Sequence, residues 1–329
     1  MKAAVPTVKK VSLPNVSERR QVHILNPMSG NQRYYESARK AVENVGGEIM
    51  VSEHQGQITE LIAELFTRDK FAHAVVYGGD GTVYEAVNGI MQSGNNATAS
   101  FSVIPAGSGN DFSSYINDSG EFKKAELVPL DLIRTDVGGK VRYSANVTNM
   151  GFDSDVVRAT YSLKKFPLFR GPAGYIAGVV TTLLKKKTIP AKITMEGCAD
   201  NFGNPLEEDR ALFDQRILLT ACANAQFYGG GFHAAPLASV TDGLMDVLVV
   251  NDISRLRFIS LVKDYHEGTF IGEDHELLDK FKKVLVYRKC RKITVEGPEF
   301  FCMDGEVLPT EGNPIVAETM QNAVWYAAL

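Results

Sequence analysis

The 329 residues are 44% hydrophobic and 22% charged, with a formal net charge of −4; this excludes disorder and collagen-like structure and leaves room for two domains with separate cores. An acidic balance argues against bulk nucleic-acid binding, which calls for a basic face. Cys198, Cys222, Cys290 and Cys302 form no C-x-x-C pair and no short metal-ligand spacing, so they are expected to be reduced, buried thiols.

Residues 1–20 carry Lys2, Lys9, Lys10, Arg19 and Arg20 against one acid, Glu18. They show no periodicity and are expected to form a mobile arm or short edge strand. Lys9 and Lys10 interrupt any apolar core of a signal peptide, and the uncharged run 171–184 falls short of the roughly 20 residues a spanning helix needs. A cytoplasmic protein is expected.

From residue 21 to about 130 the pattern alternates. Strands are expected at 21–25, 48–52, 71–77 and 102–104, and helices at 32–45 and 58–66, the second with Ile58, Leu61, Ile62 and Leu65 on one face. Such alternation implies βαβ units and a parallel sheet covered on both faces. Three glycine-bearing turns, NPMSG (26–30), GGDGT (78–82) and PAGSGND (105–111), fall at the carboxyl ends of its strands, where ligands of open α/β sheets gather.

GGDGTVYEAVNG, residues 78–89, organises the chain. Glycines let backbone approach closely, and amides at a helix start attract anions. Asp80 would repel bare phosphate, so a Mg2+ ion or a sugar hydroxyl is expected between it and a nucleotide. An exposed Asp in an ordinary tight turn is the bland alternative. Neither G-x-G-x-x-G nor G-x-x-x-x-G-K-[ST] fits the chain.

Beyond residue 118 the chain turns β-rich, with strands expected at 127–134, 141–148, 191–195, 217–223, 244–250, 284–287, 292–295 and 299–303, and helices near 175–187 and 255–264. Gly138-Gly139 signals a hairpin. Two later stretches join glycine to carboxylates: the run from Gly229-Gly230-Gly231 to Thr241-Asp242-Gly243-Leu244, and Asp304-Gly305-Glu306. Asp-Gly is also a common hairpin turn, but a turn offering two carboxylates suits general-base and metal work. Residues 156–195 contain no acid, and Arg158, Lys164, Lys165, Arg170, Lys185, Lys186, Lys187 and Lys192 alternate there with bulky apolar residues. Peripheral contact with an anionic membrane and a core-packed helix with a solvated lysine tail both account for that.

In this order, NPMSG, GGDGTVYEAVNG, PAGSGNDF, TDGLMDV and DGE resemble the diacylglycerol kinase catalytic-domain family, in its soluble bacterial lipid kinase branch, with more distant likeness to NAD kinases and phosphofructokinases. The resemblance implies an N-terminal α/β domain (21–130, completed by 315–329), a C-terminal β-sandwich domain (131–314), and an ATP cleft between them. By the same resemblance, Asn26 and Ser29 line the nucleotide site, Gly78, Gly79, Asp80, Gly81 and Thr82 hold phosphates, and Gly107, Ser108, Gly109, Asn110 and Asp111 complete the cleft. Asp304 is implied as general base beside Glu306, and Mg2+ at Asp80 with Asp111. A second, structural Mg2+ is implied at Asp242, with carbonyls near Ser239 and Leu244.

The activity expected is ATP-dependent phosphorylation of a lipid hydroxyl at an anionic membrane surface. A kinase of a soluble metabolite such as NAD, and a non-catalytic nucleotide-binding regulator, are the alternatives. The sequence leaves a homodimer open.

Overall fold

Short runs of β-branched residues, each followed by an amphipathic stretch, build the first half of the molecule. The computed structural model describes residues 13–30, 32–163, 181–182, 185 and 188–329. In it β1 (Gln21–Leu25), β2 (Glu48–Val51), β3 (His73–Gly78) and β4 (Ser100–Pro105) form a parallel sheet in the order β2-β1-β3-β4. Every residue of β3 is buried, as befits a parallel strand covered on both faces. The intervening helices are α1 (Gln32–Asn44), α2 (Gln57–Arg68), α3 (Asp80–Ser93) and α4 (Asp111–Asp118). Val22, Ile24, Ile62, Phe66, Val76, Val87 and Phe101 meet in one core. Gly89 explains how closely α2 and α3 pack: a Cβ there would sit 2.5 Å from the Thr59 carbonyl oxygen.

The second half is antiparallel and sandwich-like, with β6 (Lys140–Ser144), β7 (Val147–Gly151), β8 (Ile189–Glu196), β9 (Arg210–Ala223), β10 (Met245–Asn251), β11 (Leu285–Cys290), β12 (Lys292–Glu296), β13 (Phe300–Met303) and β14 (Glu306–Pro309). Ile193, Ile217, Met245, Val247, Ile293, Phe301 and Met303 fill its core. All four cysteines are buried and free; burial pushes the Cys222 thiol up to about 12.

Two long antiparallel strands join the halves. β5 (Leu127–Val137) pairs along most of its length with β15 (Ile315–Ala327). The early residues of β15 also pair with β12, while Trp325 and Tyr326 run parallel to Ser100 and Phe101 of β4. The last strand, starting at Ile315, thus runs from the second half back to the first sheet. Its register breaks between Met320 and Val324, where the buried Asp131 carboxylate of β5 accepts the Asn322 amide at 2.7 Å and the Gly243 amide at 2.6 Å.

Other departures from expectation have local causes. Residues 141–148 are not one strand but the end of β6 and the start of β7, separated where a carboxylate from another element takes the backbone amides of 145–147. Residues 13–20 are neither an arm nor a strand: a 3-10 turn covers Val16–Glu18, and the buried Arg19 donates to the Thr98 carbonyl at 2.7 Å and the Ser100 hydroxyl at 3.1 Å. Helix α5 (Phe152–Leu163) follows β7 without any sequence expectation, and α6 (Arg255–Glu267) extends three residues past the stretch expected. Residues 1–12 and most of 164–187 lie outside the described residues, and with them most of the expected helix at 175–187 and of the basic apolar segment.

Candidate functional site

The three glycine turns converge at the carboxyl edge of the parallel sheet. Asn26, after β1, donates its side-chain amide to Thr82 Oγ1 at 3.0 Å, and the Ser29 hydroxyl lies 3.4 Å from the same oxygen. Gly78 precedes the turn where any Cβ would fall 2.2 Å from Thr82 Oγ1. Gly79 faces Gly107: a Cβ on Gly79 would sit 2.8 Å from the Gly107 Cα, and one on Gly107 2.5 Å from the Gly79 Cα. Asn110, at φ +60, closes its own turn by accepting the Gly107 amide at 2.8 Å and donating to the Gly107 carbonyl at 2.9 Å. Bare backbone thus lines a shallow cradle, with Gly81 in open space at the first turn of α3. Ser108 sits within that same turn, between the two glycines.

Asp80 and Asp111 begin α3 and α4 side by side. Asp80 Oδ1 accepts the Phe112 amide at 3.0 Å, and a Cβ on Gly109 would meet Asp80 Oδ2 at 2.9 Å and Asp111 Oδ2 at 3.5 Å. Asp111 reaches out of its own domain: its two oxygens accept the Gly230 and Gly231 amides at 2.8 and 2.7 Å. Burial and the adjacent Asp80 charge raise the Asp111 carboxyl, against the pull of those amides. The Gly229–Gly231 stretch is therefore part of the site, clamped at its base by reciprocal 3.0 Å bonds between Tyr228 and Phe232.

The opposite side of the site is the β13–β14 hairpin. Met303 pairs with Glu306 across Asp304 and Gly305, whose φ values of +46 and +95 are those a two-residue Asp-Gly hairpin turn requires. The hairpin is real, and it carries a specialised carboxylate. Asp304 Oδ1 accepts the Ser144 hydroxyl at 2.6 Å and the Val147 and Asn146 amides at 2.7 and 3.2 Å; Oδ2 accepts the Ala145 amide at 2.9 Å. Burial raises its carboxyl to about 6, with a lesser push from the Asp80 charge, against the Ser144, Val147 and Ala145 donors. Glu306 is less buried and accepts the Gln55 side-chain amide, from the loop before α2, at 3.0 Å.

The sequence assigned no role to Gln55, Tyr84 or Arg142. Tyr84 lies one turn after Asp80 on α3, close enough to Asp304 and Glu306 to feel both charges, and takes a long 3.5 Å hydrogen bond from Arg142. Tyr84 was inside the GGDGT segment; Gln55 and Arg142 stand in loops and strands with no motif around them.

The donor set around Asp80 suits a divalent cation. Among the described residues, the hydrogen-bond partners of Asp80, Asp111 and Asp304 are backbone amides and one hydroxyl, and no cluster of three metal-ligating side chains occurs. A cation at Asp80 would draw its remaining ligands from phosphate oxygens and water, the usual habit of Mg2+. Asp242 is different. Its Oδ2 accepts the Lys289 ammonium at 2.9 Å and its Oδ1 the Leu244 amide at 2.9 Å, while the Ser239 hydroxyl is directed at Glu121. Lys289 also donates to Asp246 at 2.7 Å and to the Leu237 carbonyl at 2.7 Å. Asp242 thus shares the Lys289 ammonium with Asp246, so at the place implied for a second, structural Mg2+ with Ser239 and Leu244 the described residues are held by an ion pair.

Comparison with known proteins identifies the two domains. Residues 20–138 match the diacylglycerol kinase catalytic domain, and residues 146–324, more than half of the chain, match the YegS C-terminal NAD kinase beta sandwich-like domain. The diacylglycerol kinase of Bacillus subtilis (strain 168) is 26% identical over 303 residues, covering 88% of this chain and 91% of its own. That of Mycobacterium tuberculosis (strain ATCC 25618 / H37Rv) is 25% identical over 301 residues, covering 85% and 88%. A crystal structure of a diacylglycerol kinase from Bacillus anthracis str. Sterne shares the fold, with a TM-score of 0.61 at 21% identity over 94% of this chain and 96% of that one. The N-terminal α/β domain, the sandwich-like domain and the two matches that span them place this chain in the diacylglycerol kinase catalytic-domain family with a YegS-type C-terminal domain, a family of phosphotransferases with a lipid alcohol acceptor.

Proposed function

We propose that the chain transfers the γ-phosphate of ATP to a hydroxyl of a diacylglycerol-like lipid, with Mg2+ held at Asp80. The observation that carries this reading is that the glycine cradle and the DGE hairpin are tied across the junction: Asp111, beside Asp80, accepts the Gly230 and Gly231 amides of the second half, and Glu306, two residues from the buried Asp304, accepts the Gln55 side-chain amide of the first. Phosphoryl transfer needs chiefly positioning and charge neutralisation, and the two sides supply complementary parts.

On the nucleotide side, Gly78, Gly79, Gly81 and Gly109 bring bare backbone up to the phosphate oxygens, Gly107, whose amide Asn110 takes, holds the turn, and Asn26, Ser29, Thr82, Ser108 and Asn110 are polar lining. Asp80, assisted by Asp111, would hold Mg2+, which when bound neutralises charge on the phosphates. On the acceptor side, Asp304 takes the hydroxyl proton through Oδ2, the oxygen with one donor rather than three. A carboxyl raised to about 6 is a stronger base than an ordinary one and still ionised at neutral pH. Glu306, on the same turn, is placed to orient the attacking hydroxyl together with Gln55.

The test is a phosphotransfer screen with ATP and Mg2+ over diacylglycerol, phosphatidylglycerol, sphingoid bases, ceramide and NAD. Labelled phosphate on diacylglycerol is the expected result. Label on NAD alone would establish a soluble-metabolite kinase instead, and label on none, with nucleotide still bound, a regulator.

A further inference from the structure

Asn88, the last polar residue of the GGDGTVYEAVNG motif, commits its whole carboxamide to backbone. Its Nδ2 donates to the Tyr84 carbonyl of its own helix α3 and to the Tyr143 carbonyl of β6, both at 2.8 Å, while Oδ1 accepts the Tyr143 amide at 3.0 Å. A carboxamide carries the donor and acceptor of a peptide group, and here it stands where a neighbouring strand would. Among the described residues β6 pairs with β5 alone, and Asn88 takes both polar groups of Tyr143 at the other edge. Such groups lie open on an unpaired strand edge. The helix is therefore docked by the same pairing that joins strands.

This docking point connects the two carboxylates of the site. Asp80 begins α3, and eight helical residues separate it from Asn88, about 12 Å at 1.5 Å a residue. On the other side, Tyr143 leads directly into Ser144, Ala145, Asn146 and Val147, whose hydroxyl and amides hold Asp304. Tyr84, midway between Asp80 and Asn88 and buried, meets Arg142 of the same strand at 3.5 Å. α3 is fixed separately to its own domain. The Glu85 side chain accepts the Ile58 amide at 3.0 Å and its carbonyl the Thr59 hydroxyl at 3.1 Å. The ties from Asp111 to Gly230 and Gly231, and from Gln55 to Glu306, leave from other elements.

We infer that Asn88 is a positioning residue: by docking α3 on β6 it fixes the distance between Asp80, at the head of the helix, and Asp304, held by the loop that follows β6. Its consequence for phosphoryl transfer rests on the lipid kinase reading, in which phosphate held beside Asp80 must meet the hydroxyl that Asp304 deprotonates. Such a step depends steeply on placement, and a displacement of about 1 Å can cost about 10²-fold in rate. Nucleotide binding does not depend on this tie, because the cradle is closed within the first domain by the Asn26 bond to Thr82 and the Phe112 amide on Asp80.

The test compares Asn88→Ala and Asn88→Asp with Thr59→Val, a stability control that removes a bond between α2 and α3 inside the first domain. With the acceptor that the wild type phosphorylates, Asn88→Ala should lose about 10²-fold in kcat, with KM for ATP and the calorimetric Kd for ATP unchanged. Asn88→Asp keeps an acceptor for the Tyr143 amide but sets a carboxylate against the Tyr84 and Tyr143 carbonyls. It should show the same split, and it carries the test if the alanine variant fails to fold. Thr59→Val should lower the urea midpoint and keep kcat. Hydrogen exchange gives a readout free of activity: the Ala145, Asn146 and Val147 amides, bonded to Asp304 and not to Asn88, should exchange faster in the Asn88 variants, and those of β3 as in the wild type. Wild-type kcat in the Asn88 variants, an equal loss in Thr59→Val, or loss of ATP binding along with kcat overturns the assignment. Transfer by the wild type to no acceptor is a failure of the lipid kinase reading alone. Exchange at residues 145–147 then decides: faster exchange upholds the tie between α3 and the Asp304 loop, and unchanged exchange overturns it.

Discussion

Asp304 and Val147 hold each other twice: the Val147 amide donates to Asp304 Oδ1 at 2.7 Å, and the Asp304 amide donates to the Val147 carbonyl at 3.0 Å. The proposed base is thus also the residue that interrupts a strand and fixes the loop between β6 and β7. Asp304→Asn retains one acceptor oxygen but turns an NH2 toward a donor, so a stability loss of about 1–3 kcal/mol is expected. It should be accompanied by a rate loss of about 10² to 10⁴. Glu306→Gln, whose one bond is to Gln55, should lower kcat with an unchanged urea midpoint. Equal stability of Asp304→Asn and wild type in urea titration would contradict the structural half of this assignment.

The pH profile follows from the same carboxyl. Its value is raised to about 6 in the fold from about 3.9 in an unfolded chain, so folding takes up a proton between those values. The stability it contributes is fully present below the unfolded value and is lost as pH rises through about 6, whereas the ionised base needed for transfer appears over that same rise. kcat/KM should therefore fall on acidification with an inflexion near 6. A rate independent of pH between about 5 and 8 would remove Asp304 from the proton step.

Asp111 holds the Gly229–Gly231 stretch against the first domain by two amide bonds. Asp111→Asn must set its NH2 against one of those amides, with an expected cost of about 1–3 kcal/mol. A rise in KM for ATP should accompany it, because the turn beside Gly109 loses its anchor. Urea titration and ATP kinetics on the one variant measure both effects.

Lys289 is 3% exposed between Asp242 and Asp246, and Asp246 is wholly buried. Lys289→Met leaves an uncompensated buried charge, for which about 3–5 kcal/mol of destabilisation is expected. If a metal ion rather than this ammonium neutralised Asp242, chelation would lower the wild-type melting temperature and the lysine change would be mild.

Gly79→Ala tests the cradle. The added Cβ would lie 2.8 Å from the Gly107 Cα, backbone against backbone, so the two phosphate turns must separate. Loss of nucleotide binding by isothermal calorimetry is expected, while Gly81→Ala, whose Cβ meets nothing within 4 Å, should bind nucleotide as the wild type does.

Local chemistry made much of this molecule legible in its sequence. Alternating apolar runs and helical stripes marked the parallel sheet, because burial on both faces of a strand and on one face of a helix imposes those periods. Glycine-rich turns showed where backbone must come close, and Gly79 and Gly107 do meet. The order of five motifs was enough to suggest the family. Tertiary structure alone decided which groups act together. Asp304 became buried, amide-bound and raised to about 6 only because residues 144–147 wrap its side chain from more than 150 positions away. Asp111 found its partners across the domain junction, and Asp242 found Lys289, since charge pairing depends on distance in space and carries no spacing in sequence. The GGDGT turn, readable from the start as a place for phosphate, acquired an acceptor side only when the fold set the DGE hairpin opposite it.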